Sequence, residues 1–83
     1  DAASLIDLFA WTEAQFNDRL AGNPIRRIGH ERWLRNIAVA LGNAPSAPEI
    51  TAALRSRANT SSALVREHVL WALRRHENAE TRL

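Results

Sequence analysis

The chain has 83 residues, 46% of them apolar, a formal net charge of +2 and no cysteine. This is one small domain with enough apolar content to fold, which excludes an intrinsically disordered segment. The missing cysteines exclude a disulfide framework, and with it any thiolate metal or iron–sulfur site within these residues.

No apolar run approaches the roughly 18–20 residues that span a bilayer, and the start has no secretory pattern, so no membrane partner is expected. The chain neither begins with Met nor contains one, as expected of a piece of a larger protein. All eleven basic residues are Arg. Guanidinium forks bind phosphate bidentately and stack on bases. A GC-rich genome produces the same bias, so the placement of the arginines has to decide.

In chain order, Ser4 is a candidate N-cap for a short helix to Ala10 carrying Leu5, Ile6, Leu8 and Phe9. Thr12 with Gln15 has the form of a capping box, and it opens a helix that uses Phe16 and Leu20 and ends at Ala21 before Gly22-Asn23-Pro24. Pro24 to Gly29 reads as a connector with two adjacent arginines. The most apolar run, Arg32 to Asn43, belongs to a central helix from about His30. There Trp33, Ile37, Ala40 and Leu41 share a face, widened by Leu34, Ala38 and Val39. Gly42 is expected to stop it in a left-handed conformation. Pro48 suits the first position of a helix to about Ser56 that buries Ile50, Ala53 and Leu54. A last helix, about Ala63 to His76, carries Leu64, Val65, Val69, Ala72 and Leu73, and residues 77–83 form a polar, fraying tail. No segment alternates as a strand does. The fold class expected is all-α, with about five helices in a single domain over residues 1–83.

A shift of 32 residues lays Trp33, Ile37, Ala40 and Leu41 on Val65, Val69, Ala72 and Leu73. Helix pairs recurring at this spacing predict a short HEAT-like repeat, an α-α superhelix. The same shift lays Arg32, Asn36, Val39 and Asn43 on Leu64, His68, Trp71 and Arg75. In stacked helices these stripes lie side by side and combine the residue types suited to phosphate contact and base stacking. Asn36 and His68 could equally bond loop carbonyls, and Trp71 could be packing between helices. Arg26, Arg27, Arg32 and Arg35 gather before and along the central helix, and Arg66, Arg74 and Arg75 on the last. Pairing with Glu31 and Glu67 on a solvated face is the alternative use of these charges. Arg55 and Arg57 read as charges that favour a helix C-terminus.

The strings PIRRIGHERWLRNIAVALGN and LVREHVLWAL resemble the C-terminal HEAT-like region of epoxyqueuosine reductases, iron–sulfur and cobalamin enzymes that complete queuosine synthesis in tRNA. The likeness runs from about Leu5 through Arg75. It implies a cytoplasmic oxidoreductase as parent. Its two 4Fe–4S clusters, cobalamin pocket and catalytic acid lie in an N-terminal catalytic domain outside this chain, and no catalytic residue or cofactor is expected within it. It further implies that this domain helps dock the tRNA anticodon stem-loop. Arg26, Arg27, Arg32, Arg35, Asn36, Asn43, Arg66, His68, Trp71 and Arg75 are the candidates for contact with RNA or with the catalytic domain.

Two other functions compete with that reading. A HEAT-like protein–protein interaction module with no RNA role would use the apolar flank of Leu5, Ile6, Leu8, Phe9 and Trp11. A free-standing enzyme fits poorly. His30, His68 and His76 are not spaced as a metal set, Ser61 and Ser62 are better explained as helix caps, and no pair of carboxylates stands out.

Overall fold

The computed structural model describes residues 1–81, with side chains as far as Ala79. Among these residues the chain is all-α. The elements are α1 (Ala2–Phe9), α2 (Glu13–Arg19), a 3₁₀ turn (Pro24–Ile28), α3 (His30–Asn43), α4 (Pro48–Arg55) and α5 (Ala63–Thr81).

Local capping sets most of the boundaries. Asp1, rather than Ser4, caps α1: its Oδ1 accepts from the Ser4 N–H at 2.8 Å. The helix therefore starts at Ala2, because a carboxylate is a better acceptor at the positive end of a helix than a hydroxyl one turn later. The Thr12 capping box forms as expected, with Gln15 N–H to Thr12 Oγ1 at 3.2 Å and Thr12 N–H to Gln15 Oε1 at 2.9 Å. The connector at Pro24 is a 3₁₀ turn capped by Asn23 Oδ1, which accepts from Ile25 N–H at 2.9 Å. It ends at Gly29, whose φ of +84° reverses the chain into α3. Ser62 caps α5 by accepting from Val65 N–H at 3.2 Å while donating to the Glu31 carboxylate.

Two expected helix ends move. Gly42 does not stop α3, which continues through it to Asn43. Gly42 is buried because α5 crosses at that point: a Cβ on it would lie 2.6 Å from Trp71 Cζ3 and 3.0 Å from Ala72 Cβ. Helix α5 passes His76 and runs to Thr81. His76, 2% exposed, extends the buried face of Val65, Val69, Ala72 and Leu73 by one more turn. Arg82 and Leu83, in the expected tail, lie outside the described residues.

Helix α3 is the centre. Its Leu34, Ile37, Ala38 and Leu41 are buried, and its longest contact is with α5. Glu31 meets Ser62 at one end and the Leu41 carbonyl meets His76 at the other, so the two helices run parallel, as the 32-residue alignment requires. Helix α4 returns between them with Ile50 and Leu54 inward, and α1 closes the other side through Phe9. Full burial of each such side chain contributes about 1.5–3 kcal/mol. Trp33 is only half-buried. It stacks on Trp11 with centroids 5.7 Å apart and tilts against Phe16 at 5.3 Å.

Candidate nucleic-acid interface

The parallel packing of α3 on α5 brings part of the two polar stripes together. Val39 of α3 lines a hollow of about 310 Å³ with Glu67, His68 and Trp71 of α5. Trp71 stays 36% exposed, a large apolar ring held at the surface. The Arg75 guanidinium stands 5.1 Å from the indole centroid, a cation–π arrangement, and its Nε donates to the Gly42 carbonyl at 3.1 Å. One N–H of the fork is thus used to orient Arg75. The His68 ring donates from Nδ1 to the Leu64 carbonyl of its own helix at 2.8 Å.

The α3 stripe divides. Arg35, one turn before Val39, is half-buried, and its Nε donates to Asn36 Oδ1 at 2.8 Å. Asn36 itself borders a different feature, an apolar groove on the α1 side of the helix, and does not join His68. Arg32 is exposed on the crest between the two. Arg26 and Arg27 lie on the 3₁₀ turn beside a separate hollow bordered by Asn17 and Asn23, with Arg26 Nε 3.4 Å from Asn17 Oδ1. Arg66 sits at the start of α5, where its Nη1 donates to the Thr60 carbonyl at 2.9 Å. Of the candidates, His68, Trp71 and Arg75 of α5 therefore form one cluster facing Val39, with the others around it. The expected pairing with Glu31 and Glu67 does not form: among the described residues no arginine lies within ion-pair distance of a carboxylate.

Arg57 is no ordinary helix-end charge. Its Nε donates to the Phe9 carbonyl at 2.8 Å and its Nη2 to the Trp11 carbonyl at 3.0 Å, while its guanidinium lies 5.4 Å from the Phe9 ring. Burial lowers its pKa below the usual guanidinium value. The Trp11 carbonyl also accepts from His30 Nε2 at 2.8 Å. His76 Nε2 donates to the Leu41 carbonyl and its Nδ1 pairs with Ser46 Oγ, each at 2.7 Å. Arg57, His30 and His76 are thus braces between elements. For His76 there was a legible signal, since it falls on the next core position after Leu73.

The apolar groove of about 440 Å³ runs between α1, the 3₁₀ turn and α3, lined by Leu5, Leu8, Ile25, Ile28, Trp33 and Ile37. Ile25 and Ile28 are 47% and 40% exposed. Of the flank expected to be free at α1, Phe9 is buried and Trp11 is held between Trp33 and the Arg19 guanidinium, leaving Leu5 and Leu8 on the groove. Among the described residues no group of three or more His, Cys, Asp or Glu could hold a metal ion. No described helix is long and apolar enough to cross a membrane.

Fold and surface together define a small all-α domain whose polar face carries an exposed indole among arginines. No family model matches the chain, and no solved structure does. It is 64% identical to the epoxyqueuosine reductase of Xanthomonas campestris over 76 residues, 92% of this chain and 21% of that protein. The identity is 58% to the Pseudomonas aeruginosa epoxyqueuosine reductase over the same shares of each chain. It is 56% to that of Escherichia coli K12, over 87% of this chain and 19% of the relative. The chain spans about a fifth of the length of the curated relatives it matches, and it is homologous to that segment of the epoxyqueuosine reductases.

Proposed function

We propose that this chain is the tRNA-docking and support domain of an epoxyqueuosine reductase-like iron–sulfur protein of queuosine biosynthesis, non-catalytic by itself and acting in the cytoplasm. The observation that carries the reading is the α3–α5 seam. There an exposed indole lies beneath the Arg75 guanidinium, beside Val39, Glu67 and His68, and no described carboxylate pairs with that arginine. Aromatic faces and free guanidinium N–H groups are what single-stranded loops and phosphates bind. The partners in this reading are the anticodon stem-loop and the catalytic domain of the same polypeptide. The 4Fe–4S clusters that the resemblance implies do not fit here. A cluster needs thiolates, and the chain has no cysteine.

The test is a titration of the full-length protein with an anticodon stem-loop at two salt concentrations. About three phosphate contacts to a single-stranded loop give a loss of roughly twenty-fold between 50 and 200 mM salt. Trp71→Ala should weaken binding at both concentrations. Binding indifferent to salt and to Trp71 overturns the reading.

The apolar groove favours a second reading, a HEAT-like protein–protein interaction module with no RNA role. Ile25 and Ile28 present apolar area that a protein surface would cover. If that is the whole function, Ile25→Ser/Ile28→Ser separates the domain from its protein partner while Arg35→Ala/Arg75→Ala changes nothing.

A further inference from the structure

We infer that the hollow between α3 and α5 is a binding pocket for one unpaired guanine base. The inference rests on the nucleic-acid reading above and assigns the chemistry of its central cluster. The hollow has one aromatic wall, Trp71, one aliphatic wall, Val39, and two polar residues, Glu67 and His68. Its volume of about 310 Å³ lies at the lower end of the range of small-ligand sites.

The polar residues are the selective part. A carboxylate accepts hydrogen bonds and donates none. His68 Nδ1 faces the Leu64 carbonyl at 2.8 Å. A carbonyl can only accept, so that nitrogen carries the proton, and Glu67 is left as the group that reads the ligand. The pocket therefore asks its ligand for donors. Of the four bases, only guanine sets two adjacent donors, N1–H and the N2 amine, on its Watson–Crick edge. Adenine and cytosine place a ring acceptor beside their amine, and uracil flanks its single N–H with carbonyls. A carboxylate can take the guanine pair through two parallel, charge-assisted bonds.

The surroundings suit a nucleotide within a strand. Glu67 and Trp71 are one helical turn apart on α5, so a ring stacked on the indole lies within reach of the carboxylate. Arg75 is fixed over the indole by the Gly42 carbonyl, and Arg35 stands one turn from Val39 at the other end. The Arg75 guanidinium is therefore held beside the hollow, where it can meet a phosphate next to the base. No bond forms or breaks; this is recognition.

The test uses the full-length protein and a short oligouridine strand with a single central guanosine, read by fluorescence anisotropy at low salt. Replacing that guanosine by adenosine should weaken binding about ten-fold, as should inosine, which lacks the N2 amine, to a smaller extent. Glu67→Gln, an exposed position, should erase the preference for guanosine over adenosine. Trp71→Leu should weaken binding to every strand. Equal binding of guanosine and adenosine strands by the wild type overturns the inference, and so does a preference that survives Glu67→Gln. If such base-blind binding still falls with salt, the RNA-docking reading stands without the pocket. If no strand binds at 50 mM salt, the pocket falls and the stem-loop titration alone decides the docking reading.

Discussion

Gly42 and Trp71 are in contact across the α3–α5 seam: the indole occupies the place where a side chain on residue 42 would begin. The glycine thus determines how closely the surface tryptophan approaches α3, and it holds core and candidate interface in one geometry. Any larger residue must push either the ring or the α5 backbone at Ala72. Gly42→Val should cost about 1–3 kcal/mol of unfolding free energy through overpacking. Urea unfolding followed by tryptophan emission checks it, and the native emission should change because the indole has moved. An unchanged midpoint would mean that the glycine is dispensable.

Arg57 satisfies two carbonyls at the end of α1 from the far side of the domain. Arg57→Ala leaves them without these donors, at a cost of about 1–3 kcal/mol. Arg57→Lys should recover only part of this, because an ammonium lacks the planar fork that reaches both oxygens. Burial lowers the pKa of this group, so in strong alkali the unfolded chain binds more protons and this contribution to stability rises with pH only there. The loss measured for Arg57→Ala should therefore be the same at pH 6 and pH 8.

His76 bridges the Leu41 carbonyl and the Ser46 hydroxyl, tying the ends of α3 and α5 to the loop before α4. His76→Leu keeps the volume nearly constant but removes both bonds, and should lower stability by about 1–3 kcal/mol. Ser46→Ala removes one of them at the rim and should cost about 0.5–1.5 kcal/mol. The double variant should lose less than the sum, since the two residues share a bond. Thermal or urea unfolding of the three proteins provides the comparison.

Features whose cause is local were legible in the sequence. The capping box at Thr12 and Gln15 and the proline opening α4 depend on residues close in the chain, and each appears where the sequence puts it. The apolar face of α3 is turned from the expected one: Leu34 and Ala38 are buried with Ile37 and Leu41, while Trp33 and Ala40 are half-buried. Gly42 misled because a glycine near a helix end serves either a left-handed cap or a close approach, and the choice is made by Trp71 and Ala72 of another helix. Arg57 misled for the same reason, since the carbonyls it serves belong to α1. In the candidate site, the register of α3 on α5 was legible from the 32-residue repeat. The turning of Asn36 toward the groove was not, because it depends on where α1 and the 3₁₀ turn pack.

The arginines can be ranked by what already holds them. Arg32 is exposed and bonded to no described residue, while Arg35 and Arg75 each spend one N–H on a neighbour and keep the rest of the fork. Each one that meets a phosphate should, when changed to Ala, reduce the slope of log affinity against log salt by about one. Arg75→Lys should keep that slope, because it keeps the charge. It should still weaken binding, because the ammonium neither stacks on Trp71 in the same way nor reaches the Gly42 carbonyl through a fork. Arg55→Ala removes an exposed charge at the end of α4 and should leave the slope unchanged. Stem-loop titrations from 50 to 200 mM salt on the full-length protein give these slopes. If Arg55→Ala lowers the slope as much as Arg35→Ala and Arg75→Ala do, the seam has no special part in binding and the attraction comes from net charge alone.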